Sequence, residues 1–414
     1  MSNSEVVTFG CRLNIFESEV IKGKLKEAKL DNAIIFNSCS VTSEAERQLR
    51  QSIRKHKRKN PDKKIIVTGC AAQIDPEQYA NMPEVDQVLG NSEKMRKSSY
   101  LNNASKVRVE DIMELKEAAS HMVSSFEGKA RAFLEIQNGC NHRCTFCIIP
   151  FGRGNNRSVK VQEILEHTKQ IMAEGYDEIV LTGVDITDYG VNLENKPKLG
   201  FLVKQILALD NNIKVRLSSL DVAEIDDDLR ELIVTEKRLM PHFHLSLQSG
   251  DNMILKRMKR RHNREQIIDF CEFLRLHRPD CSIGADIITG FPTETEEMFN
   301  NSLALIQQLE IALLHVFPYS EREGTPAAKI PKDKQVAKNI RKERAKILIA
   351  QGKENMINFA QKFIGHTVSA LVESEFILKT DQFLQIRTNN NNFKVGSRVD
   401  VKITKFEDGY LCLD

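Results

Sequence analysis

Six short apolar runs recur through the centre of this chain: Ala132 to Gln137, Glu178 to Thr182, Ile213 to Leu217, Phe243 to Leu247, Ile283 to Thr289 and Ala312 to Phe317. Stretches of helical spacing separate them. Strands that each need a helix to return cannot pair as hairpins, so the rhythm demands a parallel sheet with crossover helices. Six β/α units are too few for a closed eight-fold barrel. The N-terminal part repeats the rhythm on a smaller scale, as Val6 to Phe9, Asn14 to Lys29, Ala33 to Phe36, Ser43 to Lys59 and Lys64 to Thr68, which reads as a parallel βαβαβ domain. Ser43 with Glu46 predicts a capping box at the start of the second helix, and Asn60-Pro61-Asp62 punctuates its end.

Between Ser98 and Lys129 the apolar content thins, as expected of a connection between domains. A long polar helical stretch, Lys332 to Phe363, follows the last unit. After Gly365-His366 the pattern becomes short alternating strands, Thr367 to Val372, Phe383 to Arg387, Arg398 to Thr404 and Tyr410 to Leu413, with turns at Asn389 to Asn392 and Asp408-Gly409. That tail predicts a small antiparallel β-barrel. The expected domains are residues 1–120, 126–355 and 363–414.

Composition removes several alternatives. With 41% hydrophobic and 28% charged residues in 414, the chain has enough apolar side chains for a full core, which excludes disorder and collagen-like architecture. No apolar run approaches a bilayer span, and Met1-Ser2-Asn3-Ser4-Glu5 lacks a basic flank, so a cytoplasmic protein without membrane contact is expected. Nine cysteines, an odd number scattered over a chain without a secretion signal, argue for reduced thiols that bind metal or do chemistry.

Cys140, Cys144 and Cys147 form C-x3-C-x2-C directly after a β-run. Three thiolates on one tight loop hold three irons of a cubane cluster and leave the fourth open. Structural zinc wants four ligands, and no second pair lies nearby in the sequence. An open, redox-active iron is what chelates the amino and carboxylate groups of S-adenosylmethionine (SAM) and reduces its sulfonium to a deoxyadenosyl radical. The segment Glu135-Ile136-Gln137-Asn138-Gly139-Cys140-Asn141-His142-Arg143-Cys144-Thr145-Phe146-Cys147 resembles the radical-SAM superfamily, whose fold would be a partial (β/α)6 barrel.

Other candidates stand at the same strand ends, where parallel β/α barrels carry chemistry. Gly183 and Asp185 follow the second strand, Asp185 being placed to hold the SAM ammonium group. Ser246 and Gln248 end the fourth, and Gly290 ends the fifth, where backbone could frame an adenine.

Cys11, Cys39 and Cys70 each follow a β-run and lie about 30 residues apart, the length of one βαβ unit. A parallel sheet with right-handed crossovers brings three such strand tips together, which predicts a second three-thiolate site. Cys271, Cys281 and Cys412 are expected to be packing residues.

Three upstream cysteines, a radical-SAM core and a terminal β-barrel together resemble the radical-SAM methylthiotransferases over nearly the whole chain. The resemblance implies an auxiliary 4Fe-4S cluster on Cys11, Cys39 and Cys70, a SAM-binding 4Fe-4S cluster on Cys140, Cys144 and Cys147, and a terminal RNA-binding TRAM domain. Gly10-Cys11-Arg12-Leu13-Asn14, Asn37-Ser38-Cys39-Ser40-Val41-Thr42, Val67-Thr68-Gly69-Cys70-Ala71-Ala72-Gln73 and Pro150-Phe151-Gly152-Arg153-Gly154 are most similar to the branch acting on N6-threonylcarbamoyladenosine.

That branch implies methylthiolation at C2 of adenosine 37 beside the tRNA anticodon. Sister branches act on isopentenyladenosine in tRNA or on a ribosomal-protein aspartate. The resemblance also implies two SAM-dependent steps, a low-potential electron donor such as flavodoxin or ferredoxin, and a sulfur donor. The basic runs Arg54 to Lys59 and Lys256 to Arg261 are candidates for gripping the tRNA anticodon stem-loop. A rival from another class, a non-catalytic metal-stabilised RNA-binding protein, shares these runs but gives no reason for an open three-cysteine loop.

Overall fold

The computed structural model describes residues 4–101, 105–117, 123, 126, 128–389 and 392–413. Met1 to Asn3, parts of the connection expected between Ser98 and Lys129, and the centre of the Asn389 to Asn392 turn lie outside the described residues.

The N-terminal lobe is a parallel five-stranded sheet in the order β1 (Glu5–Thr8), β2 (Ala33–Ser38), β3 (Lys64–Gly69), β4 (Gln87–Leu89) and β5 (Val107–Arg108). Every residue of β2 is buried, because helices cover both faces of a central parallel strand. Helices Arg12–Ala28, Ser43–Lys59 and Cys70–Ile74 follow the first three strands. The cap of the second corrects the sequence expectation: Thr42 is the N-cap, its hydroxyl accepting from the Ala45 N–H at 3.1 Å. Glu46, expected to close a box with Ser43, instead accepts from Ser40 at 2.6 Å and pairs with Arg322 of the central lobe. A buried charged partner outcompetes a local backbone N–H.

The central lobe opens with β6 (Ala132–Glu135), followed by a small ribbon of β7 (Gln137–Asn138) against β8 (Arg157–Ser158). It continues through β9 (Glu178–Thr182), β10 (Lys214–Leu217), β11 (Ser219–Leu220), β12 (His242–Gln248), β13 (Ser282–Thr289) and β14 (Leu313–Pro318). Because β10 and β11 are one strand interrupted at Ser218, the parallel order β6-β9-β10 and β11-β12-β13-β14 amounts to six strand positions. This is the partial (β/α)6 arrangement. Its core is Ile, Leu and Val from the strands and from the inner faces of the crossover helices. The long helix covers Lys338–Gln361 and packs on β14, whereas Lys332–Lys334, expected to be helical, forms a 3-10 turn after Pro331.

The terminal lobe is a six-stranded sheet of β15 (Thr367–Ser374), β16 (Ile377–Thr380), β17 (Gln385–Arg387), β18 (Arg398–Lys402), β19 (Lys405–Glu407) and β20 (Tyr410–Cys412), antiparallel except where β17 meets β20. Strands β16 and β19 were not expected. Phe383, expected to open a strand, leaves the sheet with φ +71° at the tip of the β16–β17 hairpin.

That hairpin docks on the starts of the barrel strands. Glu178 on β9 takes Arg131 at 2.8 Å, Arg216 at 2.7 Å and Arg398 of β18 at 2.7 Å. Among the described residues no helix is long and apolar enough to cross a membrane.

Candidate active site

Cys11 is the N-cap residue of the helix Arg12–Ala28, Cys39 follows β2, and Cys70 opens the helix after β3. Three neighbouring parallel strands thus deliver their thiols to one edge, as the 30-residue spacing predicted. Gly10 makes the approach possible. At φ +98° a side chain is disfavoured, and a Cβ there would stand 2.9 Å from the Cys39 sulfur.

Cys11 is exposed at the surface, but the protein packed around its sulfur desolvates and raises the thiol; burial with the nearby Cys70 sulfur pushes Cys39 up to about 12. Thiols held this high ionise only when a cation takes the proton's place, as a soft metal centre does.

Cys140, Cys144 and Cys147 lie on the loop between β7 and the short helix Ile149–Arg153. The Cys140 N–H donates to the Gly154 carbonyl at 3.0 Å, closing the loop at its base. Gln137 ties that loop to the end of β9: its amide donates to the Gly139 carbonyl at 2.6 Å and accepts from the Val184 and Asp185 N–H groups at 2.9 Å each. A Cβ on Gly183 would meet Gln137 at 2.8 Å, so glycine is required there.

Asp185 lies 3.9 Å from the Cys140 sulfur and 2.7 Å from His142. Burial and then the Asp185 charge raise the Cys140 thiol, and burial pushes Cys147 up to about 12.

Of the remaining sequence candidates, Ser246 joins the site through Arg260, which donates to the Ser246 carbonyl and to Asp221, both at 2.8 Å, and reaches the Cys144 sulfur at 3.5 Å. Gln248 lies at a bulge in β12 with φ +68°. Gly290 faces the long helix: a Cβ would stand 2.3 Å from Arg341, and its N–H donates to Glu294 at 2.7 Å. Cys271 and Cys281 are core residues and Cys412 is buried.

Several side chains at the two trios were not singled out from the sequence. Arg153, six residues after Cys147, is buried in the N-terminal lobe, where its Nε donates to the Cys70 sulfur at 3.1 Å and its fork grips Glu17 and Asn14. Lys94 completes the cluster, donating to Glu17 and Asn91 at 2.6 Å. Burial alone would raise Glu17, yet Arg153 and Lys94 hold it down to about 2.

Arg260 belongs to the second basic run, whose other cations Lys256, Arg257, Lys259 and Arg261 are exposed; Arg257 donates to Thr293 at 2.9 Å, and Arg261 pairs with Glu224. The signal for Arg153 lay inside a quoted motif; for Glu17 and Lys94 there was none.

Each trio therefore pairs soft thiol donors with one arginine on one sulfur. An iron–sulfur cluster held by three thiolates is anionic, and N–H···S contacts of this kind balance its charge and tune its potential, so the residues fit such a group.

Residues 134–306 match the Radical SAM superfamily, and residues 3–90 match the group described as Uncharacterized protein family UPF0004. The Threonylcarbamoyladenosine tRNA methylthiotransferase MtaB of Rickettsia prowazekii is 53% identical over 408 residues, 98% of this chain and 96% of that one. The tRNA-2-methylthio-N(6)-dimethylallyladenosine synthase of Carboxydothermus hydrogenoformans is 33% identical over 97% of this chain and 96% of its own length. Among solved structures, the radical S-adenosylmethionine methyltransferase TsrM from Kitasatospora setae superposes with a TM-score of 0.58 over 79% of this chain and 77% of that one; its 11% identity speaks to the fold alone.

Fold and family match together define a radical SAM enzyme, a class that implies SAM and a 4Fe-4S cluster. The chain belongs to the radical SAM methylthiotransferase family.

Proposed function

We propose that this enzyme inserts a methylthio group at C2 of N6-threonylcarbamoyladenosine at position 37 of tRNA. The observation that carries the substrate is the relative named for that nucleoside, 53% identical over 98% of the chain, against 33% for the one named for dimethylallyladenosine.

In this reading Cys140, Cys144 and Cys147 are the catalytic ligands of the SAM cluster, and Cys11, Cys39 and Cys70 hold a second 4Fe-4S cluster. Gly183, Asp185, Ser246, Gln248 and Gly290 line the SAM site. Residues 1–120, 126–355 and 363–414 form the three domains, the last of them binding the tRNA anticodon stem-loop, while a low-potential electron donor and a sulfur donor act from outside. Bound there, SAM and the clusters supply the radical and the sulfur that no acid-base side chain can, because adenine C2 is neither acidic nor electrophilic.

The chain's own residues position and compensate. Asp185 beside Cys140 offers a carboxylate to an ammonium group. Arg260 places a cation on Cys144 of one trio and Arg153 on Cys70 of the other. The separation of the trios is fixed by the short segment from Cys147 to Arg153.

Anaerobic protein with SAM, a strong reductant and tRNA carrying N6-threonylcarbamoyladenosine should yield deoxyadenosine and the 2-methylthio nucleoside by mass spectrometry. Deoxyadenosine without that nucleoside would refute the substrate, and neither product would refute the mechanism.

A further inference from the structure

The start of the helix Arg12–Ala28, the barrel wall and the tip of the β16–β17 hairpin enclose a cavity of about 280 Å³. Arg12, His242, His244, His315, Lys379 and Phe383 line it. Phe383, held at a φ that bulky residues avoid, stacks flat on His242 with ring centres 5.0 Å apart and forms an aromatic floor. Lys379 stands 3.8 Å from the centre of that ring and Arg12 5.3 Å.

The charges around this floor are unevenly matched. Arg131 and Arg216 share Glu178, Arg131 also takes Glu373, and Asp286 accepts from His244 at 3.1 Å and His315 at 3.2 Å. Among the described residues Lys379 pairs only with Glu373, at 3.7 Å. Arg12 makes no hydrogen bond or ion pair with any described residue; the Phe383 face is its contact.

A half-buried guanidinium with no carboxylate in ion-pair contact among the described residues, only the more distant charges of Glu178 and Asp286, an ammonium beside the same ring and an apolar floor together form a receptor for a planar oxyanion on a short carbon arm. Arg12 directly follows Cys11, so its backbone adjoins the first thiol trio while its guanidinium reaches the Phe383 ring. Backbone phosphates are tetrahedral and remain solvated along an RNA strand; a carboxylate at the end of a base substituent is the anion that enters a cavity this size.

We propose that this cavity reads the carboxylate of the substrate base, with Arg12 and Lys379 binding the threonyl carboxylate of N6-threonylcarbamoyladenosine and Phe383 supporting its carbon arm. The proposal rests on the substrate reading above and names the residues that impose it.

The test uses the full chain, reconstituted anaerobically with iron and sulfide. Equilibrium Kd values are measured for two anticodon stem-loops that differ only in whether the threonyl group at position 37 is a free acid or its methyl ester. A charged pair of this kind predicts about tenfold or greater preference for the acid. Arg12→Met and Lys379→Met should each move the ratio towards one by weakening the acid alone, and Arg12→Lys should keep part of the preference.

Because Lys379 lies on a different lobe from Cys11, loss of the second cluster cannot explain its effect, and iron content is measured for each variant. An unchanged ratio overturns the proposal, as does equal weakening of acid and ester, which would assign a backbone phosphate instead. A wild type that methylthiolates an isopentenyladenosine stem-loop in preference to the acid overturns the substrate reading.

Discussion

Arg153 is the residue through which the two thiol sites can be tested as one structure. In Arg153→Met the buried carboxylate of Glu17 keeps only Lys94, and Lys94 is the weaker partner, since burial pushes its own pKa down in spite of Glu17. A carboxylate ordinarily near 4.5 and held at about 2 is stabilised by about 3 kcal/mol, at about 1.4 kcal/mol per tenfold. Removing one partner of a fully buried pair costs about 3–5 kcal/mol, the excess being the charge left behind.

We therefore expect Arg153→Met to lose about 3 kcal/mol locally. Glu17→Gln should lose a similar amount, because it strands two cations. The double variant should lose clearly less than the sum, with a coupling of at least about 1.5 kcal/mol. Native-state hydrogen exchange on the amides of Arg12–Ala28 reads this directly and needs no assumption that a three-lobed chain unfolds in one step. Costs that add within about 0.5 kcal/mol would mean the contacts carry no energy, and the account of how Cys70 is positioned would fall with them.

Two further outcomes follow from the same geometry. Reconstituted wild type should carry about eight irons per chain, and replacing Cys11, Cys39 and Cys70 together should leave about four, as should replacing Cys140, Cys144 and Cys147; zinc in place of iron would favour a binding protein. Glu178 should lock the terminal lobe to the barrel: burial would raise its carboxyl, but Arg216, Arg131 and Arg398 hold it well below the ordinary range. Its contribution is thus complete above the ordinary value of 4.5 and fades as pH falls below it, so the stability difference between wild type and Glu178→Gln should be about 3–5 kcal/mol at neutral pH and should shrink in acid. An acid titration followed by circular dichroism checks it, and a difference independent of pH would contradict the lock.

How much of this was legible before the structure depended on distance along the chain. The six barrel strands fall within a few residues of their expected positions because period and length are local properties. The six cysteines were legible for two reasons: one trio is contiguous, and the other repeats with the βαβ unit. What failed was either a choice between equivalent neighbours or a contact across lobes. Thr42 and Ser43 are both good caps, and only Arg322, far away in sequence, decides that Glu46 is needed elsewhere. Arg260 sits among four other cations that read as a solvated basic face, yet it is the one turned onto Cys144. Strands β16 and β19, four and three residues long, are too short for alternation to register. Phe383 reads as a strand residue because nothing local reveals that His242 and Lys379 will surround it.

The loop carrying Cys140, Cys144 and Cys147 explains why the two sites need not be assembled independently. Its base is closed by Cys140 on Gly154, Arg157 donates to the Arg153 carbonyl at 2.9 Å, and Asn91 of the N-terminal lobe donates to the Gly152 carbonyl. Gly152 stands where a Cβ would lie 3.2 Å from that of Cys70, so the lobes meet with no side chain between them. One closed loop thereby presents three thiols on one side and Arg153 on the other. Reactions that pass a group between two centres lose rate steeply when their spacing drifts by an ångström. A spacing set by a short tether with both ends hydrogen-bonded drifts less than one set by two lobes joined only through the distant connection before β6.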